Sequence, residues 1–302
     1  MAHQHGPSPA NRGRLTAALA IGSSILLTEI VGAAVTGSLA LIVDAGHMLA
    51  DVGGLAVALL AAALATRGVT SKRTWGYARA EVLAATAQAA VLLAVGLFVL
   101  VEGVRRLISP PEVPSAGLLL FGIIGLAGNL VSIAVLAGDR RANFNLRAAF
   151  LEVVNDALGS VGVILAAVVI ALTGWQRADA VAGIAIGVLI LPRTFILLRE
   201  TVDVLLEAAP TGLDLDAVRG HLLAQEHVLE VHDLHATQIA TGLPVLTAHV
   251  TVEEECFADG HIREILDSLQ ACVAEHFPVA VEHSTFQLEP AAHQGHENTP
   301  HR

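Results

Sequence analysis

The stretch Asp44–Asp51 reads DAGHMLAD and lies inside an apolar run from Leu39 to Ala65. An ionisable group near the centre of a membrane span costs at least about 2.5 kcal/mol. Something must offset that cost, and a bound cation is the first candidate. His47 and Asp51 stand at i and i+4, which puts them on one face of a helix, a turn apart. A second stretch, FLEVVNDALGS, sets Glu152 and Asp156 at the same spacing. Two helices that each offer two ligands to a shared interior make a four-ligand site of one imidazole and three carboxylates. Nitrogen and oxygen donors at about 2.0–2.2 Å suit a borderline ion such as Zn2+, and the extra carboxylate widens tolerance toward Co2+, Cd2+ or Mn2+. Three packed carboxylates without a cation would have to take up protons. Ligands that shed protons to bind metal and regain them on release couple the two movements. The bland alternative, polar groups that only bond one another between helices, must account for two matched pairs at once.

Those pairs need elements to hold them. The 302-residue chain is 54% hydrophobic and only 15% charged, with mean hydropathy +0.65. A transmembrane helix takes about 20 apolar residues. Six runs qualify: 15–35, 39–65, 81–104, 116–137, 148–172 and 178–198. The first two are joined only by TGS, and SPPEVPS separates the third from the fourth. Arg and Lys follow a bias: with a cytoplasmic N-terminus, eleven lie in inside loops and flanks against three outside. Six spans then return the C-terminal part to the cytoplasm. Depth agrees as well. Asp51 is 16 residues from Arg67 and Asp156 is 15 from Arg141, which matches within one turn of helix.

Charge divides the chain at the end of these spans. Residues 1–202 carry 14 Arg/Lys and 11 Asp/Glu, whereas residues 203–302 carry 3 and 17. A soluble acidic domain follows the membrane portion, and its acidity argues against nucleic acid as a partner. Over 208–290 the patterns alternate helix, strand, strand, helix, strand, which suits an α+β ferredoxin-like sandwich. The segments 1–14 and 291–302, rich in His, Gly and Pro, read as disordered. Cys256 and Cys272 fit neither a disulfide framework nor a zinc ribbon, and read as buried free thiols. There is no H-E-x-x-H motif or nucleophile elbow, so nothing points to an enzyme. A membrane metal sensor that binds without net transport is the alternative to a transporter.

Three stretches, SLALIVDAGHMLADV, RTWGYARAEVLAA and AAFLEVVNDALGSVGV, resemble the second-span, second-loop and fifth-span signatures of the cation diffusion facilitator family. With the soluble tail, the resemblance covers nearly the whole chain. It implies a homodimeric metal/proton antiporter, multi-pass in the inner membrane, with both termini cytoplasmic and divalent ions and protons as substrates. Its transport site falls on His47, Asp51 and Asp156. Zinc-transporting members usually have His where this chain has Glu152. The resemblance also places regulatory Zn2+ ligands in the cytoplasmic domain at His232, His249, His283 and Glu289. His261, at a helix start, is a further candidate, and His235 points away from His232 if the strand is regular. Asp44 reads as an exit-path carboxylate or a packing residue. Glu29, Asn129 and Asn155 read as interhelical hydrogen-bond partners.

Overall fold

A computed structural model describes residues 9–65, 69–137 and 144–296. The expectations for residues 1–8 and 297–302, and the loop residues Arg67, Arg140 and Arg141, lie outside them. Six long helices come first: α1 (Pro9–Thr36), α2 (Leu39–Ala65), α3 (Ala80–Ile108), α4 (Ser115–Ala137), α5 (Phe144–Thr173) and α6 (Arg177–Leu205). Among the described residues, α1 and α3 to α6 contain windows long and apolar enough to cross a membrane, and α2 runs for 27 residues over the apolar stretch quoted above. Leu27, Val101, Leu172 and Leu189 are exposed, as side chains facing lipid tails are.

The helices overrun the apolar runs. α1 starts at Pro9, inside the segment expected to be disordered, because a proline at the first helical position sacrifices no hydrogen bond. At its other end Gly37, at φ +67°, turns the chain into α2 while its N–H bonds the Ala33 carbonyl. That left-handed closure is the one glycine accepts at no steric cost.

The start of α2 is held from another helix. Asp179 of α6 is buried, accepts from the Leu39 N–H at 2.7 Å and the Ala40 N–H at 3.3 Å, and is bonded to the Ser38 hydroxyl. Arg106 of α3 sits 3.7 Å from the same carboxylate and donates to the Gly37 carbonyl at 2.6 Å. An anion at a helix N-terminus satisfies orphan N–H groups and complements the helix dipole. Asp179→Asn should cost roughly 1–2 kcal/mol, read as a lower thermal midpoint in detergent. An unchanged midpoint would mean α2 starts without this cap.

The chain divides into two compact units, residues 1–60 with 84–198 and residues 61–83 with 199–302. The second contains the soluble domain: α7 (Leu215–Leu223), β1 (Val228–Ala240), β2 (Leu243–Val252), α8 (Cys256–Asp259), α9 (Ile262–Glu275) and β3 (His283–Pro290). This is a ferredoxin-like sandwich without its leading strand. β1 and β2 form an antiparallel hairpin, and β3 returns through α9 to lie parallel to β2. α9 buries Ile265, Leu269, Cys272 and Val273, the i, i+4, i+7, i+8 stripe of an amphipathic helix. Leu222, Leu246 and Val250 complete the core. Ala291–His296 continues from β3 as a 3-10 turn, where disorder was expected.

Candidate functional site

Inside the first unit, α2 and α5 bring three of the four intramembrane candidates together. His47 Nε2 lies 3.4 Å from Asp51 Oδ2 and 3.6 Å from Asp156 Oδ1. The three groups offer ligand atoms all within 4.8 Å of one another. His47 and Asp156 are 9% and 5% exposed. Asp51 Oδ2 and Asp156 Oδ1 are buried without a hydrogen-bond partner. Buried polar atoms are rarely left so, and two such oxygens aimed at one imidazole nitrogen suit a shared cation.

Glu152 stays outside this trio. Its carboxylate accepts from the Arg193 guanidinium of α6 at 3.0 Å. Sequence reading counted Arg193 among the cytoplasmic flanks, but it lies well within α6, next to Pro192. A long side chain reaching back from the end of a span can do this. The fourth position expected from the helical spacing is therefore filled by an ion pair.

Beyond the trio the interior continues as a polar cluster. Asp44 and Glu29 are buried carboxylates there, at 3% and 1% exposure. Asn129 of α4 donates to Ser160 of α5 at 3.3 Å. A Cβ on Gly159 would come within 2.9 Å of the Asp44 carboxylate, so α5 can approach α2 this closely because it carries glycine there. Asn155 departs from expectation. It is exposed on α5, because a residue one position before Asp156 points about 100° away from it.

In the soluble domain three of the four expected ligands converge. His232 and His249 face each other across β1 and β2, with ring centroids 5.3 Å apart. Glu289 of β3 is 2% exposed and reaches His232 Nε2 at 3.0 Å and His249 Nδ1 at 3.9 Å. His283 is not with them. It opens β3 opposite Val245, and its ring meets the edge of Trp75 at 4.9 Å. Six residues separate it from Glu289 on the same strand, about 20 Å at strand rise. The residue beside His249 on β3 is Gln287, which donates to Glu289 at 3.1 Å. The register of a parallel strand reached through a helix decides this, and spacing along the chain does not contain it.

His235, expected to point away from His232 on a regular strand, is exposed on a strand that is not regular. The register slips between His232 and His235, and Asp233 sits at φ +47° in a β-bulge. Cys256 and Cys272 are free and buried in the core, and burial pushes the Cys272 thiol above its ordinary range.

The family model described as the cation efflux transmembrane domain matches residues 15–206, and the cation efflux protein cytoplasmic domain matches residues 210–291. The metal cation efflux system protein CzcD of Cupriavidus metallidurans is 40% identical over 289 residues, spanning 96% of this chain and 90% of that protein. A cadmium, cobalt and zinc/H(+)-K(+) antiporter of Bacillus subtilis is 35% identical over 300 residues, 99% and 94% of the two chains. The zinc transporter ZitB of Escherichia coli is 35% identical over 297 residues, 96% and 93%. With two family models covering nearly its whole length and a charged cluster built into its helical interior, the chain belongs to the cation efflux family, multi-pass membrane transporters of divalent metal cations and not enzymes.

Proposed function

We propose that the chain exports Zn2+ in exchange for protons, with Co2+, Cd2+ or Mn2+ as further substrates, as a homodimer in the inner membrane with both termini cytoplasmic. The observation that carries this reading is the convergence of His47, Asp51 and Asp156, with two unpartnered carboxylate oxygens, deep between α2 and α5. Imidazole with carboxylates suits Zn2+. An anionic pocket in a low-dielectric interior is held by either a divalent ion or protons. The relatives named for zinc, and the one named as a proton-coupled antiporter, support the same reading. Glu152 is the fourth ligand, joining the trio when it leaves Arg193. Alternating access then moves the site from one face to the other. The test is flux into sealed proteoliposomes under an imposed pH gradient, with Zn2+, Cd2+, Co2+ and Mn2+ in competition. Binding without flux would make the chain a metal sensor instead.

The trio of His232, His249 and Glu289 serves as the cytoplasmic regulatory site, and metal bound there favours one state of the dimer by about 1–3 kcal/mol. His249→Ala in the full-length protein should lower the number of Zn2+ ions bound in calorimetry and slow transport without abolishing it. His283→Ala should leave binding unchanged. Equal losses in both variants would return His283 to the ligand set.

A further inference from the structure

A third group of metal-binding side chains lies at the opposite end of the β1–β2 hairpin from its turn. His227 precedes β1, Cys256 opens α8 just after β2, and His261 stands immediately before α9. The hairpin register sets them side by side. Val228 pairs with Val252, so His227 meets the residues that follow β2, and its carbonyl accepts from the Glu253 N–H at 3.1 Å. The Cys256 N–H then bonds the Glu253 carbonyl, and Gly260 at φ +94° turns the chain to bring His261 back. The spacing is C-x4-H with the other His 29 residues earlier, a pattern matching no common motif.

One ligand atom from each of the three residues lies within 4.8 Å of the other two. The two rings stack loosely at 5.3 Å between centroids. Each ring is oriented by a carboxylate on Nδ1: His227 by Glu253 at 2.7 Å and His261 by Asp259 at 2.8 Å. That leaves Nε2 as the nitrogen each offers. A carboxylate behind an imidazole is the outer-shell arrangement that fixes the tautomer of a metal-bound histidine and raises its basicity. The Glu226 carboxylate, almost fully exposed, stands 3.9 Å from His227 Nε2 and is on hand for a fourth position. Glu253, Asp259 and Glu226 surround the group with negative charge, and no Lys or Arg is paired to any of them among the described residues.

We infer that His227, Cys256 and His261 form a separate cytoplasmic binding site for a borderline or soft divalent ion such as Zn2+, Co2+ or Cd2+. Two imidazoles and a thiolate select such ions over Mg2+, Ca2+ or Mn2+. Ligands around tetrahedral zinc sit about 3.3–3.8 Å apart, so the atoms close by up to about 1.5 Å on binding, and the exposed His261 ring has room to do so. The site differs from the His232 trio, since His227 and His232 are five residues apart along an extended segment, about 16 Å. It also differs in chemistry, because none of the other proposed ligands is a sulfur. This inference stands independently of the transport reading.

Sulfur makes the test specific. The full-length protein in detergent is titrated with Co2+ and followed by absorption for a thiolate-to-cobalt charge-transfer band in the near ultraviolet. The band should appear, persist in Cys272→Ser, His249→Ala and Asp51→Ala, and vanish in Cys256→Ser. His261→Ala, a change at an exposed residue that leaves the core intact, should weaken Co2+ binding at this band by about tenfold or more. A wild-type protein with no band, a band that survives Cys256→Ser or disappears with Cys272→Ser, or unchanged affinity in His261→Ala would each overturn the site.

Discussion

Asp51→Ala is expected to abolish proton-gradient-driven Zn2+ flux, a loss of at least about 100-fold, or roughly 3 kcal/mol of lost stabilisation of the bound ion. The size follows from the geometry. Asp51 Oδ2 and Asp156 Oδ1 approach the same His47 nitrogen at 3.4 and 3.6 Å, and all three groups lie within one ligand-sized volume. In a low-dielectric interior each anion contributes several kcal/mol to holding a divalent ion. Losing one therefore leaves an ion that the other two cannot keep out of water. Residues that act as one unit are strongly non-additive, so Asp51→Ala with Asp156→Ala should be little worse than either alone. Multiplying losses would mean two separate steps of transport, not one site. The fold should survive, since removing a carboxylate from this cluster relieves repulsion when no cation is bound. Circular dichroism and gel filtration check that. Near-normal flux in Asp51→Ala would remove the transport-site assignment.

Most of the architecture was legible because it rests on local rules. Spans of apolar residues, a TGS turn, the αββαβ pattern of the tail and two i, i+4 pairs need no knowledge of distant contacts. What escaped was set by register and reach. His283 was placed with Glu289 by resemblance to the family, yet the β2–β3 pairing shows Gln287, not His283, beside His249. Arg193 was counted with the cytoplasmic flank of the sixth span, because hydropathy counts residues along the axis and ignores how far a guanidinium reaches back. Asp179 leaves no trace of its role in the local pattern, because it caps a helix start 140 residues away in sequence. His227 and Cys256 escaped because a hairpin end and a short helix bring them together, and neither leaves a periodic trace.

The Glu152–Arg193 pair leads to the second large effect. The 3.0 Å contact holds Glu152 off the trio and keeps a positive charge beside it. Both groups are partly solvated, with side-chain exposures of 25% and 64%, so the pair itself is worth at most about 1 kcal/mol. Its influence on a divalent ion is greater, because the ion meets either a free cation or a free carboxylate. Arg193→Gln removes the cation and releases Glu152 toward the trio. Metal should bind tighter, by about 1 kcal/mol or roughly fivefold in Kd, and leave more slowly, so that maximal flux falls as KM falls. Glu152→Gln does the opposite and does more harm. It deletes the anion and leaves Arg193 unpaired beside the ion. Deleting a carboxylate that holds or backs the bound metal typically costs about 10- to 100-fold, here about thirtyfold in flux at low Zn2+. The double variant Glu152→Gln with Arg193→Gln should then recover part of that loss, because the orphan cation is gone. Glu152→His should also relieve the pair, supply a second imidazole and raise the ratio of zinc to manganese flux. Flux ratios and Zn2+ affinities for the four variants decide the matter. If Glu152→Gln and the double variant transport equally poorly, Arg193 exerts no field on the ion. If Glu152→Gln transports normally, Glu152 is an outer ion-pair partner only, and three ligands and water carry the metal.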